Sequence, residues 1–150
     1  MQSAGEVKQL AGRGRGDIRR ITMLQFLDYF FLIFHAVFTI FNMTGWIWKK
    51  TRKVHLATIA ATAFSWFIIG IWYGWGFCFC TDWHWRVREA LGRPIRSYSY
   101  IHFLILETTG MDLPPAMVDN ATMAIFIACC CMSILLNTRD YLRHRVRKGA

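Results

Sequence analysis

The sequence predicts an all-α membrane protein: three transmembrane helices, with one or two short interfacial helices in the loop between the second and third. Three observations predict it. The 150-residue chain is 55% hydrophobic and 16% aromatic but only 18% charged, against about 25% charged for a soluble domain. Asp, Glu, Lys and Arg are missing from residues 29–48, 54–81 and 120–138, and about 20 apolar residues suffice to cross a bilayer as helix. Tryptophan and tyrosine gather near the ends of these gaps, as in the aromatic belts of membrane spans.

Residues 1–20 read as a basic, Gly-rich, flexible N-terminal tail. They are not expected to be a cleavable signal, because the following apolar run is too long and no small-x-small site ends it. The membrane bundle occupies residues 21–138. Its first span runs from about 23 to 48. The stretch "KKTRK" (Lys49–Lys53) is so short that the first two spans must form an antiparallel hairpin. The second span, about 54–77, carries small residues at Ala57, Ala61, Ser65, Gly70 and Gly74. Small residues spaced by a turn let helices pack closely, so these five are the expected helix-packing positions. Trp46, Trp48, Trp72, Trp75, Trp83 and Trp85 are the expected interface anchors.

The structured loop, 78–115, predicts a first helix capped by Thr81 or Asp82 and stopped by Gly92 and Pro94. Trp83, Val87, Ala90 and Leu91 share one face of it, which predicts a helix lying in the membrane interface. A second, more apolar segment runs from Ser97 to Thr109. Pro114-Pro115 opens the third span, about 116–138, since proline suits a first helical turn. Residues 139–150 form a basic C-terminal tail.

The net charge is +9, yet all 18 basic residues lie outside the spans. Basic flanks are expected beside anionic headgroups, so the partners are membrane lipids and other membrane protein subunits, with no nucleic acid. Each side of the membrane would receive nine basic residues. Density decides between the orientations: "KKTRK" and the C-terminal tail sit tight against span ends, while the long loop balances its arginines with acids. The long loop is therefore expected outside and the C-terminus in the cytoplasm.

Asp28, His35 and Asn42 are seven residues apart in the first span and so form one stripe. Ionisable groups inside a span face protein or water. The stripe is either a ligand or proton path or a polar seam joining helices. Asp82, His84, His102 and Glu107 share the long loop, and Asp28 and Tyr29 approach the same interface. The candidate acid–base residues are Asp28, His35, Asp82 and His84. Cys78, His84 and His102 supply metal-ligand types but not a known zinc spacing. His35 and His102 are the candidate cofactor ligands. His35 and His55 do not share one haem, because 13 residues put His35 about 20 Å from the interface near which His55 lies. No cofactor is specified; lipids or pigments could contact the spans. No nucleophile elbow, Walker loop, HExxH or dinucleotide fingerprint is present.

One group of residues does resemble a known family. His35, Gly45, His55, Gly76, Cys78 and the run Thr81-Asp82-Trp83-His84-Trp85 are similar to the bacterial inner-membrane proteins of domain-of-unknown-function family 2784. Thr109-Gly110 and Val118-Asp119 add to the likeness, which covers roughly residues 24–138. The chain departs from the family pattern at Phe79-Cys80, where a Pro-Leu pair is expected, and in its charged N-terminal tail. The resemblance implies the architecture and draws attention to Cys78, Asp82 and His84, without naming a reaction. Three functions follow from the sequence: an accessory or structural subunit of a larger membrane complex; a redox, haem- or metal-binding protein using His35, Cys78, His84 and His102; and a small membrane enzyme acting on a lipid-soluble substrate.

Overall fold

Apolar runs with helical propensity and no internal proline have one low-energy form in a bilayer, because every backbone N–H and C=O must be paired within the segment. The computed structural model follows this rule. It describes residues 4–95, 97 and 99–149, with side chains over 16–148. Helix α1 spans Ala4–Thr44 and α2 spans Arg52–Ala63. A π-helical segment, Phe64–Ile69, leads into the short α3, Gly70–Tyr73. Helices α4, Phe79–Ala90, and α5, Tyr100–Thr109, occupy the long loop, and α6 runs Pro115–Gly149. Three stretches, Gly16–Thr44, Arg52–Tyr73 and Pro115–Lys148, are long and apolar enough to cross a membrane.

Several boundaries differ from expectation. The helix of α1 begins at Ala4, inside the tail expected to be flexible; a helix nucleated in the span propagates outward at little cost per residue. The basic side chains before Gly16 lie outside the described residues. The first span ends at Thr44 rather than near residue 48, because the chain turns at Gly45. A Cβ there would lie 2.8 Å from the Phe41 carbonyl oxygen and 3.0 Å from the His55 ring, so the hairpin closes only around glycine. The second span stops at Tyr73, where Gly74 takes φ 104°. The C-terminal tail continues the third helix to Gly149.

The interior is unusual in its chemistry. Among the described residues, the buried apolar side chains are Ile59, Tyr100, Phe103, Val118, Phe126 and Cys129. The buried polar ones are more numerous: Asp28, His35, His55, His84, Arg88, Ser97, His102 and Ser133. Large apolar side chains such as Phe26, Ile33, Ile71 and Leu135 point outward. Water-soluble folds show the reverse, and lipid-facing surfaces explain it, since hydrocarbon solvates these side chains as well as a core does.

The expected packing stripe on the second span divides. Ala57 and Ala61 are exposed, and Gly74 is exposed in the turn after α3. Ser65 and Gly70 face the chain's own 75–77 turn instead of another helix. The Ser65 hydroxyl donates to the Phe77 carbonyl at 2.7 Å, and Gly70 lies 3.5 Å from the Trp75 backbone, measured from an ideal Cβ. A Cβ at Gly70 would make only ordinary contact there, so the Ser65 hydrogen bond is what ties the turn back to the span. The anchors divide as well. Trp48, Trp72, Trp75 and Trp83 are exposed. Trp46 packs against the Ile59–Phe126–Cys129 cluster, and Trp85 packs against His84 and Phe103.

Candidate functional site

Helix α4 packs on α1, and the residues it buries are His84 and Arg88. They are one turn apart and share a face. The apolar face expected of an interfacial helix is the outward one: Trp83 is 56% exposed, and the polar face is turned into the bundle. The first turn is also not capped as expected. Cys78 occupies the N-cap position without a side-chain bond, and Asp82 pairs with Arg86 at 2.9 Å on the surface.

His84 meets a carboxylate from the first span. Its Nε2 stands 2.7 Å from Asp28 Oδ1, and its Nδ1 stands 2.9 Å from the Tyr100 hydroxyl of α5. A carboxylate only accepts, so Nε2–H donates to Asp28. In the neutral ring Nδ1 then accepts from the Tyr100 O–H. The hydroxyl also lies 3.3 Å from the Phe31 carbonyl. It has one proton and two acceptors. When His84 is charged, Nδ1–H donates to the phenol oxygen and the phenol donates to Phe31.

Two arginines surround the same carboxylate. Arg93 donates to Asp28 Oδ2, and Arg88 Nη1 stands 3.6 Å from Asp28 Oδ1 and 3.9 Å from Glu107. The aromatic walls are close: His35 stacks on Tyr100 with ring centres 3.8 Å apart, and Phe31 stacks on His84 at 5.8 Å. Burial pushes the His84 pKa below the ordinary histidine value, opposed by the Asp28 hydrogen bond and charge. Burial first, then Asp28, pushes Tyr100 up, so the phenol stays protonated. The site therefore combines an oriented imidazole, a phenol proton donor and a carboxylate that stabilises imidazolium, the components of acid–base chemistry.

Of the sequence candidates, Asp28, His35 and His84 come together, and Glu107 joins them through Arg88. Asp82 does not, being held by Arg86. Tyr29 is exposed. His102 lies in a separate knot: Nε2 donates to the Leu113 carbonyl at 2.8 Å, and Nδ1 lies 2.8 Å from the Ser97 hydroxyl. Among the described residues no three His, Cys, Asp or Glu side chains are grouped to hold a metal. The proposed Cys78–His84–His102 set fails for a physical reason: all four ring nitrogens of the two histidines already have partners. Burial and the neighbouring Cys78 push the Cys80 thiol pKa up, which keeps it a thiol. Tyr100, Arg88 and Arg93 were missed. The signal for Arg88 was its one-turn spacing from His84; Tyr100 and Arg93 had none beyond their place in the loop.

A second buried histidine closes the other end of the bundle. His55 Nε2 donates to the Asn42 carbonyl at 2.9 Å, and its Nδ1 lies 3.0 Å from the Ser133 hydroxyl of α6. Thr58 donates to Asn42 Oδ1, and Asn137 donates to the Arg52 carbonyl. The polar stripe of the first span therefore splits: Asp28 and His35 belong to the loop-end cluster and Asn42 to the hairpin.

No curated protein and no solved structure matches the chain. A family model does, over residues 25–138, which takes in every side chain named in the two clusters. On that match the chain belongs to the family described as Protein of Unknown function (DUF2784).

Proposed function

We propose that this small multi-pass membrane protein works through an acid–base centre at the loop end of its bundle, handling a proton for a lipid-soluble substrate. The observation that supports it is the hydrogen-bonded chain from Asp28 through His84 to Tyr100, with His84 fully buried. Burying ionisable groups at a membrane is costly and is usually tied to function. In this reading Asp28 orients the ring and stabilises imidazolium, His84 carries the proton, and Tyr100 presents it to substrate oxygen. The setting we assign is a bacterial inner membrane, on the family resemblance, with the 78–115 loop outside and the C-terminus in the cytoplasm, on the density of basic residues beside the short hairpin and the third span. The test is a ¹⁵N imidazole titration of His84 in the purified protein. Reversible titration, with a lower midpoint in Asp28→Asn, is expected; a ring that shows no titration, or one indifferent to Asp28, overturns the reading.

A second reading, an accessory subunit of a larger membrane complex, is favoured by the outward Ala57 and Ala61 on α2. It expects a co-purifying membrane protein that is lost when both alanines become leucine.

A further inference from the structure

Among the described residues Arg88 is the buried charged side chain with an unpaired N–H, and its two ion pairs are long. Its side chain is 9% exposed. Its Nε–H meets no acceptor. The nearest carboxylate oxygens, 3.6 Å away on Asp28 and 3.9 Å away on Glu107, are beyond hydrogen-bond range. Asp28 is already taken by His84 and Arg93. The Phe103 ring covers one face of the guanidinium at 4.7 Å. Arginine does not shed its proton in proteins, so this group cannot escape by becoming neutral as a buried lysine would. A desolvated cation whose N–H is unpaired and whose carboxylate contacts are long is stabilised by a further anion.

The surroundings say which anion. Arg93 shares Asp28 with Arg88 and is 37% exposed, so the pair leads from the interior to the surface. Two guanidinium forks beside each other suit a group with three or four oxygens better than a carboxylate with two. Trp83, exposed on the outer face of the same helix, sets this level at the headgroup region. Basic pockets between helices at that depth bind phosphate headgroups. We propose that Arg88 and Arg93 form a phosphate site, occupied by the headgroup of an anionic lipid or by free phosphate. This rests on the loop-end cluster being the working part of the molecule, and it gives the substrate of that centre a phosphate handle.

The full chain in mild detergent is mixed with phosphatidylglycerol or with diacylglycerol, which lacks the phosphate, and retained lipid is read by native mass spectrometry. Phosphatidylglycerol is expected to be held about tenfold more strongly, the equivalent of roughly 1.4 kcal/mol. Arg88→Gln is expected to remove that preference. Arg88→Lys, which keeps the charge but loses the fork, and Arg93→Gln are each expected to weaken it by about fivefold, and they carry the test should Arg88→Gln not fold. Glu107→Gln removes a competing carboxylate and is expected to strengthen retention. Displacement by inorganic phosphate would identify free phosphate as an occupant, and resistance to it would identify the lipid; both support the site. Equal retention of diacylglycerol, or variants at Arg88 and Arg93 that bind as the native chain does, overturns it. Because retention reads the arginines and the imidazole titration reads His84, failure of one experiment is distinct from failure of the other.

Discussion

Two histidines are fully buried in this molecule, one near each end, and their partners differ in kind. His55 at the hairpin end meets a backbone carbonyl and a serine hydroxyl. Both partners are neutral, and the carbonyl fixes which nitrogen holds the proton. His84 at the loop end meets a carboxylate and a phenol, with two arginines nearby. Its ring has a charged form that the surroundings can stabilise, and a phenol proton with two places to go. The lesson is that burial alone says little about a histidine. The charge of its partners decides whether the charged ring can be stabilised, and that is what the proposed proton carrier needs.

The sharpest way to break this contrast is to neutralise the carboxylate. Asp28→Asn leaves Arg88 and Arg93 without their shared counter-charge, and removing one member of a buried ion pair costs about 3 kcal/mol or more. Thermal unfolding in detergent is expected to show the largest loss for this variant. His55→Leu comes next. It leaves the Asn42 carbonyl unpaired in the bundle, a loss of about 2 kcal/mol, and should leave His84 titration unchanged. A loss larger than that of Asp28→Asn would place the weight of the fold at the hairpin and reverse the comparison. Tyr100→Phe deletes one hydroxyl, about 1 kcal/mol, and is expected to separate proton handling from folding: the helices melt almost as before, while the His84 midpoint moves.

The smallest effect is the pH dependence. Burial holds the folded His84 below the ordinary histidine pKa. The folded form therefore binds fewer protons than the opened form as pH falls through about 6.5, so stability drops toward acid and is fully present above it. Hydrogen–deuterium exchange should show faster opening of residues 79–109 at pH 5 than at pH 8, and His84→Gln should flatten that dependence.

The spans were legible in the sequence because bilayer thickness and charge avoidance write long, one-dimensional signals. The loop helices were legible too, the first from Gly92 and Pro94 and the second from the apolar run that ends at Thr109. What was not legible was the direction in which α4 faces. Apolar periodicity at Trp83, Val87 and Leu91 normally marks the inward side, but here lipid competes for apolar groups and the inward side goes to His84 and Arg88. Asp28 and His84 were both singled out, and their meeting was not, because a contact across 56 residues leaves no periodic trace. Ser65 and Gly70 looked like a docking groove for a neighbouring helix. Their real neighbour is the turn at 75–77, which only three-dimensional folding brings there.

The ion pair that joins the first span to the loop has a consequence for how the molecule is made. Asp28 emerges from the ribosome 56 residues before His84 and 65 before Arg93. At about 5–20 residues per second, that is a delay of roughly 3–13 seconds. For that interval Asp28 lacks the partners that the loop brings to it, so the last-made half of the protein completes the surroundings of the first span.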